Sequence, residues 1–407
     1  MTGTTVAQAI PIAISPILTR MYSPESFGVL AIFISVAAVI SSIANLRYQL
    51  AIVQPKENED AASLVILSII IAMIMSLISL VIVHMFNQDI RLFLGNDSIG
   101  AWLYLTPVSI FIFGFYQALN YWYVRQQYFK NIALSKVGQG AVGGLAQLIF
   151  GLMASGPLGL IAGHIIGQVT ALIVLLKSFF NNEQAFKAVT LNKVVMNATR
   201  YKRMPKHSAP GAVVDSLSAQ MPNFFIVKYF DLVAAGFLGL VFRVLNVPLA
   251  LISGALGQVL LQRLAQGENG SKLGTNERIF LLKIFFILLA IIFPFVLLIR
   301  SYGDLLFVIT FGEQWRVAGE MAGIVVIAIA IRFAVSPLSV VMALERNIKV
   351  GVVWQFVYLI TISSTLMYFA SYPLLTFLKA FVIHELILYS LYLAIILKCV
   401  TTPMDIK

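Results

Sequence analysis

The sequence predicts an all-α integral membrane protein with about twelve transmembrane helices, in two six-helix bundles around a central cavity. Sixty per cent of its 407 residues are apolar and only 11% are charged, whereas a soluble domain carries about 25% charged residues. Its apolar runs match the roughly 20 residues that a helix needs to cross a bilayer, and they are too long for the strands of a membrane barrel. The single cysteine, Cys399, excludes a disulfide scaffold.

The apolar runs place twelve spans along the chain, each to within about three residues. They are 1–19, 26–46, 61–86, 101–123, 137–154, 157–179, 208–230, 236–258, 279–299, 317–340, 350–370 and 373–397. The longest polar stretch, 180–207, separates six spans from six. We therefore predict an N-terminal lobe over 1–180, a cytoplasmic linker over 181–207 and a C-terminal lobe over 208–407.

The net charge of +11 reflects membrane topology rather than nucleic-acid binding. Nineteen Lys and Arg residues fall in the even-numbered loops and the C-terminal tail, and five fall in the odd-numbered loops. Positive charge accumulates on the cytoplasmic side, so both termini are predicted to be cytoplasmic. The opening segment lacks the basic start of a cleavable signal peptide. Because the first span begins almost at Met1, we expect a short cytoplasmic leader to precede it.

A weak internal repeat relates the two halves. Arg20 and Lys228 end the first and seventh spans, and Gly28 and Gly236 open the spans that follow. Both pairs are 208 residues apart (228 − 20 and 236 − 28). Six spans in each half imply a parallel repeat, related by an axis along the membrane normal.

The linker has an amphipathic pattern that allows two interpretations. In the first, apolar side chains rest on lipid while the linker's basic residues face headgroups, where each is worth about 1 kcal/mol. In the second, the segment is an ordinary cytoplasmic loop. The apolar residues concerned are Phe186, Val189, Val194 and Val195, and the basic ones are Lys187, Lys193, Arg200, Lys202, Arg203 and Lys206.

No motif predicts a cofactor or a resident metal. The chain has no GxxxxGK[ST], HExxH, CxxC or GxSxG pattern, and its four histidines are scattered. An enzyme such as a polysaccharide polymerase would need a large external loop, and the longest odd-numbered loops, 87–100 and 300–316, are small. The sequence therefore predicts a transporter rather than an enzyme.

Charged residues inside spans are the informative ones, since each costs about 2.5–3.5 kcal/mol at the bilayer centre. Arg243, Arg332 and Lys379 lie deep in their spans, and we expect them to face a wet cavity. Acids are fewer. Asp215 is the candidate for binding a coupling proton or sodium ion, although an ion pair with an arginine would explain its position in a span equally well. Glu385 lies in the last span.

Polar residues at helical spacing accompany these charges. Such a row needs water or protein, although hydrogen bonds between helices would also satisfy it. The predicted cavity-lining residues are Gln8, Ser15, Gln220, Asn223 and Asn246. A cationic cavity favours an anionic substrate, such as an oligosaccharide on a polyprenyl diphosphate. The alternative is a multidrug or metabolite cation antiporter, for which we expect buried acids in the first six spans; none occurs there.

Six segments resemble the Wzx-type oligosaccharide flippases of bacterial polysaccharide export, within the multidrug/oligosaccharidyl-lipid/polysaccharide exporter superfamily. They are AQAIPIAISPILTRMYSPESFGVLAIF (7–33), ANLRYQLAIV (44–53), RYKRMPKHSAPGAVVDSLSAQMPNFF (200–225), FRVLNVPLALISGALGQVLLQRLA (242–265), FGEQWRVAGEMAGI (311–324) and SPLS (336–339).

This resemblance implies two six-helix lobes, a V-shaped cavity lined mainly by spans 1, 2, 7 and 8, and alternating access. It implies flipping of an undecaprenyl-diphosphate-linked glycan across the bacterial inner membrane for O-antigen or capsule, with membrane lipids and a polysaccharide polymerase complex as further partners. Arg20, Arg47 and Arg243 match basic residues of related lipid-linked precursor flippases. Arg332 and Lys379 join the predicted substrate site on burial alone.

Overall fold

The computed structural model describes residues 2–95, 99–179, 184–268, 275–344 and 347–401, and within them it has twelve long helices and no strand. These are α1 Thr2–Met21, α2 Pro24–Ser41, α3 Asn58–Leu94, α4 Thr106–Arg125, α5 Phe129–Leu152, α6 Pro157–Phe179, α7 Ala209–Tyr229, α8 Leu232–Glu268, α9 Thr275–Phe311, α10 Arg316–Val335, α11 Ile348–Phe369 and α12 Leu374–Thr401. Each predicted span corresponds to one of these helices, so the all-α class is confirmed.

Eight apolar helical stretches in the described residues are long enough to cross a membrane, and shorter apolar stretches lie at Ala9–Met21 and Leu232–Asn246. Several long helices contain a proline inside, including Pro222 in α7 and Pro294 in α9. Membrane helices tolerate such residues because neighbouring groups satisfy the freed backbone. The chain is a multi-pass membrane protein.

The lengths of the third and fourth helices and one helix cap are alike in the two halves. The third helix of each half, α3 and α9, has 37 residues, and the fourth, α4 and α10, has 20. The Ser23 hydroxyl accepts from the Ser26 amide at 3.3 Å at the start of α2, and the Asp231 carboxylate accepts from the Ala234 amide at 2.6 Å at the start of α8. Both cap residues again differ by 208 positions (231 − 23). The structure thus supports the repeat.

The chain forms two compact units, 1–236 and 237–407. The core of the first contains Tyr48, Leu64 and Trp122, and that of the second contains Phe285, Phe333 and Ile396. The first unit includes α7, which packs against α2. The predicted lobes, 1–180 and 208–407, are defined by six spans on each side of the linker and not by the density of contacts. They stay a prediction.

The linker packs on protein, which argues against the interpretation in which its apolar residues rest on lipid. Its helix, Leu191–Arg200, buries Val194 and Asn197, and the Asn197 side-chain amide donates to Ser63 Oγ at 2.7 Å in α3. Phe186 lies against Trp122, with ring centroids 4.9 Å apart, and Val189 packs on the same core. Of the four apolar residues, Val195 alone is exposed.

Two of the linker's basic residues pair with acidic residues of the protein. Lys193 pairs with Glu59, and Arg200 lies 3.8 Å from the Asp60 carboxylate, both acids being in the first turn of α3. A carboxylate in the first turn is favourable for the helix dipole. The linker therefore packs against the start of α3, because its basic residues pair with the two acids of that first turn.

Candidate functional site

The segment after α2, residues 44–51, forms a closely packed loop. Asn45 is buried, and its side-chain amide donates to the carbonyl oxygens of Ser68 at 2.9 Å and Gly114 at 3.0 Å. The flanking Ala44 and Ala51 are fully buried. These contacts hold residues 44–51 against α3 and α4, so the loop presents its remaining side chains in a fixed arrangement.

Arg47 is the charged group that this loop presents. Its φ of +66° and the +45° of Leu46 lie in the left-handed region, which costs energy for residues other than glycine and is common at functional sites. The half-buried guanidinium donates through Nε to the Ser208 hydroxyl at 3.3 Å, beside the start of α7. The Tyr48 hydroxyl also fixes the loop, by donating to the Ala198 carbonyl at 2.9 Å.

The α1 residues are arranged differently from the prediction. Arg20 is exposed in the last turn of α1. Ser15 is fully buried, and its hydroxyl donates to the Pro11 carbonyl of the same helix at 2.6 Å. The helix itself satisfies this hydroxyl, so the expectation that Ser15 lines a cavity is wrong. Gln8 lies in α1, but its side chain is outside the described ones.

The polar residues predicted in α7 meet a partner in α2. The Ser35 hydroxyl lies 2.8 Å from Gln220 Oε1, and the Asn223 amide donates to Ser35 Oγ at 2.9 Å and to Gln220 Oε1 at 3.2 Å. Ser35 is fully buried and Asn223 is 8% exposed. Ser35 could not be predicted, because a lone serine in an apolar span carries no distinguishing pattern. Asp215, also in α7, has an exposed side chain.

In the second unit, Arg243 and Asn246 are half-buried, three residues apart on α8. This spacing places both on one side of the helix, as predicted. Nothing in their burial distinguishes a cavity from a helix contact, so their role stays a proposal.

Arg332 belongs to a buried network that joins α10, α11 and α12. Its Nε lies 2.6 Å from Oε2 of Glu385, whose side chain is fully buried. The N–H does not point at that oxygen, so the contact is ionic rather than a directed hydrogen bond. Its terminal nitrogen donates to the Tyr358 hydroxyl at 2.8 Å, and this hydroxyl donates to Glu385 Oε1 at 2.5 Å. His384 lies beside the pair, with Nδ1 3.4 Å from the same oxygen.

Lys379 is exposed on α12. Its position along the helix gives its depth and not the face that it occupies, so its predicted place in the substrate site stays a proposal. It makes no ion pair with a described residue. In the residues with described positions, no group of three or more His, Cys, Asp or Glu side chains is placed to hold a metal ion.

A family model described as a polysaccharide biosynthesis protein matches residues 17–320. This range contains Arg20, Arg47, Asp215 and Arg243. The chain belongs to the polysaccharide biosynthesis protein family. No curated protein is significantly similar to it in sequence.

Solved structures show which fold this family member has. A multidrug resistance MATE family transporter of the MOP superfamily, in an inward-facing conformation, aligns with a TM-score of 0.74 and 15% identity, over 98% of this chain and 95% of that one. The lipid II flippase MurJ, in an inward closed conformation, aligns with a TM-score of 0.72 and 12% identity, over 98% and 87%. At these identities the likeness shows the fold, which is that of a twelve-helix transporter.

In this polysaccharide biosynthesis protein, Arg332 and Arg47 have partners of different charge. Arg332 has a counter-ion, Glu385, 53 residues later (385 − 332). Arg47 instead contacts a neutral hydroxyl. A scan for acids in neighbouring spans would have offered Glu385 as a partner for Arg332, but the sequence does not give the rotation of either helix.

Proposed function

We propose that this protein is a flippase that moves a polyprenyl-diphosphate-linked oligosaccharide from the cytoplasmic to the periplasmic leaflet by alternating access. Its membership of the polysaccharide biosynthesis family over 17–320 carries the proposal. The transporter fold supports it, since a twelve-helix transporter offers a route across the bilayer for a headgroup whose lipid tail stays in the membrane. The product would serve O-antigen or capsule synthesis.

Basic side chains in the family-matched range would bind the diphosphate. Arg47 has a guanidinium held by a rigid, strained loop, Arg20 is exposed at the end of α1, and Arg243 is half-buried in α8. Guanidinium groups suit this task because they bind phosphate oxygens through two parallel hydrogen bonds. Gln220, Asn223 and Asn246 would supply hydrogen bonds to glycan hydroxyls.

Arg332 and Lys379 contribute less to this proposal than the sequence suggested. The carboxylate of Glu385 already balances the charge of Arg332. Arg332 therefore has less need of a second anion, such as the diphosphate of the substrate. The exposed Lys379 forms no ion pair with another described residue on α12. We therefore place the headgroup at Arg20, Arg47 and Arg243.

We also propose a location and partners for the protein. The chain would lie in the bacterial inner membrane with both termini cytoplasmic, bound by membrane lipids and adjacent to a polysaccharide polymerase complex. It would act as a transporter and not as an enzyme, with no nucleic acid involved.

Two energy sources suit the proposed flippase. Asp215 in α7 is the candidate for a coupling proton or sodium ion. Alternatively, a dianionic headgroup moving outward down the membrane potential gains about 4.6 kcal/mol at 100 mV, since each charge gains about 2.3 kcal/mol. This second source needs no coupling residue.

A multidrug or metabolite cation antiporter is the alternative function, and the fold of the MATE transporter favours it. The two functions differ in the charge of the substrate. Arginines at the site would repel a lipophilic cation and attract a diphosphate.

Complementation tests the proposal. A host that lacks its own flippase would receive this chain, and surface polysaccharide would be measured beside drug resistance in the same cells. We expect surface polysaccharide to return and resistance to stay at the level of the empty vector. Arg47→Ala is the matched variant, and it should express normally without restoring the glycan. Increased drug resistance without any surface glycan would favour the antiporter.

A further inference from the structure

The first turns of α2 and α8 touch through their backbones, and a glycine on each helix allows this contact. A Cβ atom added at Gly28 would lie 1.8 Å from the Leu232 carbonyl oxygen, and one added at Gly236 would lie 1.9 Å from the Pro24 carbonyl oxygen. All four residues belong to the first compact unit. Non-bonded heavy atoms settle about 3.5–4.0 Å apart, so any side chain at either glycine must push the helices apart.

The contact follows the internal repeat. Pro24 and Leu232 are 208 residues apart (232 − 24), as are Gly28 and Gly236 (236 − 28). Leu232, which Gly28 meets, is therefore the repeat equivalent of Pro24, which Gly236 meets. This reciprocity is the signature of an isologous interface, where residue i contacts j and j contacts i. Both helices also begin with equivalent side-chain caps, which fixes the two first turns in the same form.

The contact is tight and is made by the two backbones. It consists of glycine hydrogens against carbonyl oxygens, and weak C–H···O contacts of this kind recur at helix–helix interfaces. The atoms nearest to both glycines belong to the backbone, of Leu232 on one side and of Pro24 and Gly28 on the other. Seven residues further along α2 (35 − 28), about 10 Å at 1.5 Å per residue, lies Ser35 with its polar partners Gln220 and Asn223.

We infer that Pro24, Gly28, Leu232 and Gly236 form a clasp that closes the outer mouth of the transport path and parts when the path opens outward. The inference rests on the proposed function, whose topology puts the loops before α2 and α8 outside. When the clasp is closed, it covers the polar cluster of Ser35, Gln220 and Asn223 from that side. When it parts, glycan-binding groups become accessible from outside.

A distance measurement without substrate tests the clasp. Spin labels go on Glu25→Cys and Val233→Cys, which are both exposed, are repeat equivalents (233 − 25 = 208) and flank the contact. The background carries Cys399→Ser, and the full chain is placed in lipid nanodiscs. We expect Gly28→Ala to lengthen the distance between the labels, because the added methyl needs about 2 Å more room than the closed contact leaves.

Gly254→Ala is the matched control. Gly254 lies in the same helix as Gly236, and a Cβ there meets no atom of the described residues within 4 Å. Alanine is the better helix former in both variants, so a difference between them reports the contact and not helix strength. An unchanged distance distribution in Gly28→Ala would overturn the clasp.

Cross-linking provides the second test, which does not need a glycine variant to fold. A short thiol cross-linker between Glu25→Cys and Val233→Cys should abolish glycan export, and a cleavable linker should restore export when it is reduced. Undiminished export by the cross-linked protein would overturn the clasp. If the distance shifts in Gly28→Ala while the unmodified chain exports no glycan, the clasp stands and the proposed substrate is wrong.

Discussion

The Nε atom of Arg332 lies 2.6 Å from Oε2 of Glu385, and the side chain of Glu385 is fully buried. Tyr358 bridges the same two groups through its hydroxyl. A buried pair of this kind costs desolvation energy, but breaking it by removing one partner costs more, because the other charge is left uncompensated. The pair therefore ties α10 to α12, with α11 contributing the bridging hydroxyl.

Glu385→Gln should destabilise the protein by about 3 kcal/mol, because Arg332 keeps its charge and loses its counter-ion. The measurement is thermal unfolding in detergent, followed by intrinsic fluorescence. Glu320→Gln, at an exposed position near the start of α10, should change the midpoint little. The double variant Arg332→Met with Glu385→Met should recover most of the loss. Equal midpoints for Glu385→Gln and Glu320→Gln would show that the pair adds nothing to stability.

Arg243→Ala should reduce glycan export at least tenfold while the protein level stays normal. Hydrogen bonds to charged groups contribute about 1.5–3 kcal/mol each, and about 1.4 kcal/mol already corresponds to a factor of ten in binding. Arg243→Lys should retain partial export, because lysine keeps the charge and loses the two-pronged geometry. Surface polysaccharide, quantified per unit of membrane protein, checks both. Normal export by the alanine variant would remove Arg243 from the site.

The proposed topology predicts which cysteines a membrane-impermeant thiol reagent reaches in whole cells that carry the Cys399→Ser background. Gln314→Cys, between α9 and α10, should be labelled, and Thr199→Cys, in the linker helix, should not. Both positions are exposed in the structure, so access to the reagent depends on the side of the membrane. After cell lysis both should react. Labelling of Thr199→Cys alone in whole cells would reverse the model.

Asp215→Asn should keep transporting in liposomes under a membrane potential alone. The outward movement of a dianionic headgroup down the potential needs no coupling residue. Transport is followed with a potassium diffusion potential and no proton or sodium gradient. If the unmodified protein needs an ion gradient and Asp215→Asn is inactive, the coupling role of Asp215 holds instead.

The sequence predicted the helices well because a span needs a long apolar run, and twelve such runs are visible without knowledge of any contact. The predicted span 157–179 has the same bounds as α6 Pro157–Phe179. The repeat was also visible, because equivalent turns need equivalent residues at their ends. Gly28 and Gly236 marked it in the sequence, and the structure adds the reason that both are glycine.

The faces of the helices could not be predicted in this way. Position along a span gives depth, but the direction of a side chain depends on how the helix is rotated, so Ser15 was expected to line a cavity and is fully buried. Partners from distant spans have no signature in sequence, which is why Glu385 was not assigned to Arg332. An amphipathic pattern likewise does not distinguish lipid from protein, and Val194 of the linker faces protein.

Flipping of a lipid-linked oligosaccharide by the purified chain is the most direct test of the proposed function. The chain is placed in liposomes with a polyprenyl-diphosphate oligosaccharide in one leaflet and a potential that is positive on the far side. A glycosidase in the far compartment then reports arrival of the glycan. We expect cleavage to exceed that of protein-free liposomes and to fall to their level with Arg47→Ala. Cleavage equal to that of protein-free liposomes, from folded protein under a potential and under ion gradients, would contradict the account.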